Sequence, residues 1–193
     1  MNPGLMTAPE IETERLRLRG FQPGDWQGLA RFYTDDTVMR HMLPGRGLSP
    51  AQAEERAKSN IHNFGTSWAQ RGYGVWAVAD RASGRLLGQC GLRYVPEADA
   101  VELLYLLNKT HWGRGLASEA GRAALHHGFG AAGLAHVFAV TAPGNGASQR
   151  VLLKLGFAPE GEKLLWERNV RWFALDREAW ICPTPETVTQ SVP

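Results

Sequence analysis

A run of apolar residues, Leu103 to Leu107, gives way to Asn108-Lys109-Thr110-His111, then to Trp112-Gly113-Arg114-Gly115-Leu116-Ala117, where a helical pattern begins. Glycines flanking a strand-to-helix turn let the backbone approach an oxyanion closely and adopt positive φ. The first N–H groups of a helix lack intrahelical partners, and the helix dipole adds positive potential there. A pyrophosphate is a ligand such a terminus holds well. The Gly-x-x-x-x-Gly-Lys-Ser/Thr phosphate loop is absent. A dinucleotide fingerprint would need Gly or Ala at Ser118 and an acidic residue about 20 positions on; Gly133 to Val137 supplies none. On the residues alone, an anion cradle and a plain tight turn both remain open.

Just upstream, Glu102 is a lone carboxylate in an apolar strand pattern. Desolvation there would raise its pKa and make it a better general base. A strand charge facing water, or paired with an arginine, is the competing reading. The six histidines show no metal spacing, and Cys90 and Cys182 form no CxxC pair, so neither a metal site nor a disulfide framework is expected. A formal net charge of +2 with scattered Lys and Arg gives no argument for nucleic acid. No stretch approaches the ~20 apolar residues that span a bilayer, and Met1 to Glu10 lack a signal-peptide pattern. A cytoplasmic monomer or homodimer is the expectation.

These residues need a scaffold. Arg15 to Arg19 alternates as a half-buried strand does. Pro23 opens a helix of about three turns, with Trp26, Leu29, Ala30 and Phe32-Tyr33 on its apolar side. Pro44, Gly45 and Gly47 break the chain into a loop. Ser49-Pro50 with Gln52 starts a polar helix running to about Gln70, which Gly65 interrupts. Tyr73–Ala79, Leu86–Val95 and Val101–Leu107 read as strands, joined by turns too short for a parallel crossover and so forming an antiparallel meander. Helix (Gly115–Phe129), strand (Ala135–Thr141), helix (Ala147–Leu155) and two strands up to Leu175 follow. This order predicts an α/β (α+β) fold: one mixed, mostly antiparallel sheet flanked by helices on both faces. A single domain spans 11–180, with flexible tails at 1–10 and 183–193.

The turn around Gly113 resembles motif A of the GNAT superfamily of N-acetyltransferases, in which a Gln/Arg-x-x-Gly-x-Gly/Ala turn cradles the pyrophosphate of coenzyme A. Gly113, Arg114, Gly115, Leu116 and Ala117 match; Trp112 departs from the usual Gln or Arg. With Glu102 upstream and Ser118-Glu119-Ala120 downstream, the pattern is similar to the Rim-type branch, which acetylates N-terminal amines of ribosomal proteins and some small amines. A second segment, Asn145-Gly146-Ala147-Ser148-Gln149-Arg150-Val151-Leu152-Leu153-Lys154-Leu155-Gly156-Phe157, resembles the same branch. Its bland reading is a helix capped by Asn145, with Gly156 ending it.

The resemblance implies acetyl-CoA as cosubstrate and transfer of acetyl to a primary amine, a protein N-terminus or a small molecule, by direct attack in a ternary complex. It implies that Leu106 and Leu107, beside a bulge, offer backbone groups to the pantetheine arm. Asn145 would bond that arm or a water, and Ser148 would lie near the thioester sulfur. Arg150 and Lys154 would meet phosphate or stay solvated. Glu102 is the candidate base. Leu152 stands where many relatives carry a tyrosine acid, which leaves Ser148 as the catalytic candidate at the sulfur. The missing tyrosine keeps a second reading open, a catalytically weak CoA-binding regulatory module. The acceptor pocket would form from the Asp25–Gln70 helices and the last strands, with Trp68, Tyr73, Trp76, Trp166 and Trp172 as candidate walls.

Overall fold

The computed structural model describes residues 7–42, 45–180 and 189–191. Nine strands form one sheet: β1 (Glu10–Glu12), β2 (Leu16–Arg19), β3 (Val75–Asp80), β4 (Leu86–Val95), β5 (Ala100–Leu107), β6 (His136–Thr141), β7 (Ala158–Leu165), β8 (Arg168–Asp176) and β9 (Thr189–Ser191). Their order is β7-β8-β6-β5-β4-β3-β2-β1-β9. All neighbours are antiparallel except β5 and β6. The mixed, mostly antiparallel sheet is as the element order predicts. Cys182 and most of the expected C-terminal tail lie outside the described residues; Thr189–Ser191 pair with β1.

The helices are α1 (Asp25–Tyr33), α2 (Asp36–Met39), α3 (Pro50–Arg71), α4 (Leu116–Phe129) and α5 (Gly146–Lys154). α2 was not expected; Asp35 caps it through Thr37 and Val38. α3 begins with a full capping box between Ser49 and Gln52. It runs 22 residues without a break at Gly65. No Cβ clash or tight contact marks that glycine, so it costs helix propensity without stopping the helix.

Strand alternation sorts the core. Leu87, Cys90 and Leu92 of β4 and Val101, Leu103 and Leu107 of β5 share one cluster with α4 and Leu152 of α5. The small residues Ala120, Gly121 and Ala124 let α4 lie close: a Cβ on Gly121 would stand 2.8 Å from Leu155 Cδ1. On the other face, Leu106 packs with Leu29, Phe32, Tyr33 and Ala57 of α1 and α3. Val95, Phe138, Leu165 and Val170 form a third cluster.

Candidate active site

β5 and β6 pair only at Glu102–Phe138. Past that point the two strands have no shared ladder, and a cleft of about 1250 Å³ opens along them. The N–H of Asn108 donates to the Leu87 carbonyl at 2.9 Å. That bond makes Gly88–Leu107 a non-hydrogen-bonded pair of the antiparallel ladder. By alternation, Leu104 and Leu106 turn their backbone groups toward β4, and Tyr105 and Leu107 turn theirs toward the cleft. The register between β4 and β5 is unbroken from Gly88–Leu107 to Val95–Ala100. The expected bulge is therefore absent from this ladder. Of the two leucines expected to offer backbone groups, Leu107 keeps that role, while Leu106 spends its groups on β4. The open edge comes from strand divergence.

At the mouth of the cleft, α4 begins on Gly115, at φ 77°, with no side-chain cap. Gly113 has φ 73°. A Cβ on Gly113 would meet nothing within 4 Å, and one on Gly115 only Arg15 Nη2 at 3.6 Å. Backbone amides here face open space that side chains would fill, which suits a phosphate group. Trp112, Gly113, Gly115, Leu116 and Ala117 line the cleft. The side chain of Arg114 does not. Its carbonyl instead accepts from Arg15 Nη1 at 2.8 Å. Trp112, in place of a polar residue, closes the loop: its indole N–H donates to the Leu107 carbonyl at 2.8 Å. Glu119 ties this turn to β2, pairing with Arg15 Nη2 at 2.6 Å and accepting from the Thr13 hydroxyl at 2.6 Å. Sequence reasoning missed Thr13 and Arg15, whose partners lie about a hundred residues away.

The two faces of β5 carry different chemistry. Glu102 is 5% exposed and accepts from Arg93 Nη2 at 2.5 Å and Nε at 3.2 Å. Both readings of Glu102 thus hold: it is buried, and it is paired with an arginine. Burial pushes its pKa up, and the Arg93 guanidinium opposes that shift. Three residues on, and so on the opposite face, Tyr105 sends its hydroxyl to Ser148, 2.7 Å from Oγ and donating to the carbonyl at 3.1 Å. Burial raises the Tyr105 pKa above the ordinary phenol range. Leu152 is buried in the core. The phenol that the sequence lacks on α5 is supplied from β5. Asn145 caps α5, its Oδ1 accepting from the Ser148 N–H at 3.2 Å. Its amide group lines the cleft beside Ser148, Arg150 and Lys154.

Opposite these lie Tyr33, Arg56, Asn60 and Gln89. The Tyr33 hydroxyl donates to Gln89 Oε1 at 3.1 Å and accepts from Asn60 Nδ2 at 2.9 Å. Of the aromatic candidates for this wall, only Trp166 lines the cleft. Trp68, Tyr73 and Trp76 are core residues, with Trp68 and Trp76 in edge contact at 4.5 Å. Trp172 stacks on Phe138 at 4.3 Å. The first three serve the core, where β3 and the end of α3 meet.

The model of the acetyltransferase (GNAT) domain matches residues 15–158. The chain belongs to the GNAT acetyltransferase family. It is 32% identical over 154 residues to YoaA of Bacillus subtilis, named an uncharacterized N-acetyltransferase, covering 79% of this chain and 85% of that one. It is 34% identical over 153 residues to the B. subtilis protein YkkB, covering 76% and 84%. Among solved structures, an acetyltransferase from Agrobacterium tumefaciens superposes with a TM-score of 0.76 at 22% identity, covering 88% of this chain and 95% of that one. RimL, a ribosomal L7/L12 alpha-N-protein acetyltransferase solved in complex with coenzyme A, superposes with a TM-score of 0.69 at 18% identity, covering 86% and 97%. These two structures share the GNAT fold with the chain. Among the described residues no helix is long and apolar enough to cross a membrane.

Proposed function

We propose that this protein transfers acetyl from acetyl-CoA to a primary amine by direct attack. The observation that carries the reading is the placement of Glu102 on one face of β5 and the Tyr105–Ser148 pair on the other, at the opening between β5 and β6. Acetyl-CoA supplies an activated thioester, and the uncapped α4 terminus with Gly113 and Gly115 suits its pyrophosphate. RimL, of the same fold, is solved with coenzyme A.

In this reading, the free N–H groups of Tyr105 and Leu107 bind and polarise carbonyl groups along the open edge. Glu102 takes the proton from the incoming amine, directly or through one water. A lysine-type amine has a pKa of ~10.4 and an α-amine ~7.7–8.0, so an α-amine asks less of this base. Tyr105, held protonated well into the alkaline range by burial, donates to the departing sulfur, and Ser148 orients the phenol. The reading as a cofactor-binding module without catalysis drew on a missing phenol, and Tyr105 removes that ground. The Rim-type affinity remains part of the proposal and rests on the Asn145–Phe157 pattern.

The test is a turnover screen with acetyl-CoA over α-amino acids, polyamines, aminoglycosides and peptide N-termini, following thiol release. At least one amine class should raise release well above hydrolysis. Cofactor binding by calorimetry with no amine acetylated in any class would return the protein to the regulatory-module reading.

A further inference from the structure

The acceptor wall carries an excess of positive charge. Its basic side chains are Arg56 on α3, Arg93 on β4 and Arg168 at the start of β8. The acidic residues lining the cleft are Glu97, exposed beyond the end of β4, and Glu102, which Arg93 already pairs. Arg56 and Arg168 are thus cationic groups on this wall in addition to the Arg93–Glu102 pair. Arg56 lies over the Tyr33 ring, 5.4 Å from its centroid. Arg150 and Lys154 add charge on α5, beside Ser148 and away from this wall.

The wall is also roofed. The turn between β7 and β8 places Trp166 at φ 50° and Glu167 at φ 60°. Two consecutive positive φ values belong to hairpin turns that favour Asn-Gly. Holding a tryptophan and a glutamate there stores strain, of the kind that surrounding structure sustains at functional sites. The turn brings Trp166 over Arg93, at 5.4 Å, and Arg168 Nη2 to 3.7 Å from where a Cβ on Gly45 would stand. The α2–α3 loop and the β7–β8 turn therefore meet above the pocket. A polycation entering under this arch would face guanidinium groups with one buried carboxylate to meet them. A small acceptor bearing an anion would find forks suited to carboxylate or phosphate.

We propose that the acceptor is a small amine that also carries an anionic group of carboxylate or phosphate chemistry, held by Arg56 and Arg168 with its amine presented toward Glu102. This rests on the acetyltransferase reading and names the substrate class of the same site.

Matched acceptors test it. The twenty α-amino acids, O-phosphoethanolamine, the carboxamides of the amino acids, ethanolamine and spermidine are compared in steady-state acetylation by the full chain. An anionic amine should be the best acceptor, and removing its anion should raise KM about tenfold or more. Activity with amino acids or with O-phosphoethanolamine identifies the anion as carboxylate or phosphate. Arg56→Gln and Arg168→Gln should each raise KM for the anionic acceptor while leaving its kcat within a few-fold. For the matching neutral amine they should leave KM unchanged. Calorimetry of acetyl-CoA on each variant checks that the fold survives. Best activity with spermidine, a neutral amine or a neutral peptide N-terminus would overturn this inference and leave the acetyltransferase reading standing. Equal KM for an amino acid and its carboxamide would do the same. Turnover with no amine of any charge would overturn both.

Discussion

The two walls of the cleft are built in different ways. The cofactor wall comes from two short stretches, Leu107–Ala117 and Asn145–Ser148, each a strand end or loop feeding a helix N-terminus. Its groups are largely backbone amides, positioned by glycine φ angles and by the Asn145 cap. The acceptor wall is assembled from side chains on α1, α3, β4, β5 and the β7–β8 turn. Its organisation is a set of contacts between distant residues: Tyr33 with Gln89, Arg93 with Glu102, Trp166 with Arg93. A backbone cradle tolerates change in everything except conformation. A side-chain wall can be rewritten one residue at a time. The architecture thus separates a fixed donor site from an adjustable acceptor site, with β5 as the partition.

The largest expected effect lies at that partition. Glu102→Gln keeps the shape and a hydrogen-bond acceptor for Arg93 but cannot take a proton. Turnover should fall by about 10²–10⁴, with acetyl-CoA affinity nearly unchanged. Because burial raises the pKa of Glu102, the acidic limb of kcat in the parent should lie above the ordinary carboxylate value of ~4.3. Activity is lost as pH falls through the raised pKa, since the base must be ionised. The variant should recover as pH rises and the amine deprotonates unaided. A variant matching the parent across the pH range would remove Glu102 from the mechanism and leave positioning alone.

Next in size is the cradle. Gly115→Val puts a β-branched side chain at φ 77°, pointing toward the space assigned to phosphate. Strain of ~1–3 kcal/mol should appear as acetyl-CoA affinity weaker by about 10- to 100-fold in calorimetry. Gly115→Ala should show a smaller loss in the same direction. Affinity unchanged in both would move the pyrophosphate elsewhere. No change at Arg56 or Arg168 should affect this measurement, which is how the two walls are told apart.

The same contrast governs what could be read from the sequence. Ser49-Pro50-Gln52 gave away the start of α3, and Ser83-Gly84 and Pro96 bracketed β4 at Leu86 and Val95. The glycine turn was visible because its signal is contiguous. Helix α2 was missed because four residues are too few to show a period. Tyr105 was absorbed into an apolar run, since its partner Ser148 lies 43 positions away. A signal did exist: Tyr105 is three residues from Glu102, and period-2 alternation sends an odd offset to the opposite face. The Arg93 partner was also within reach, because the short Pro96–Asp99 turn fixes the β4–β5 register. Trp68, Tyr73 and Trp76 misled because aromatic content marks bulk, and bulk serves a core as readily as a pocket.

On the leaving-group face the effects should be smaller. Tyr105→Phe removes the phenol with little change of shape. A departing thiol with a pKa near ~8.5 leaves largely as thiolate above that value. The loss in kcat should be about tenfold near neutrality and fade above pH ~9. Ser148→Ala keeps the phenol and should cost only a few-fold. A larger loss for Ser148→Ala than for Tyr105→Phe would reverse the two roles and make the Ser148 hydroxyl the group that meets the sulfur.

The smallest effect concerns Thr141, where β6 ends against the cleft. Its side chain is buried, and among the described residues its Oγ1 has no hydrogen-bond partner. A buried hydroxyl without a partner costs about 1–3 kcal/mol in desolvation. Two accounts fit one atom. If the hydroxyl is idle, Thr141→Val replaces it with a methyl of similar shape, and the ligand-free protein should gain up to about 1 kcal/mol in urea unfolding. If the hydroxyl bonds the cofactor arm, the same gain in the free protein should be matched by a loss of acetyl-CoA affinity, about 2- to 10-fold. The placement favours the second account. Val137 and Ala139 face the α4 cluster, so Thr141 lies on that face by alternation, as do Tyr105 and Ser148. Stabilised protein with weakened cofactor binding is therefore the expected pair of results. Stabilised protein with unchanged binding would confine the cofactor wall to its backbone groups and the α5 terminus. Loss of stability would show that Thr141 is bonded in solution, by a water or a local shift, and has no free hydroxyl to offer.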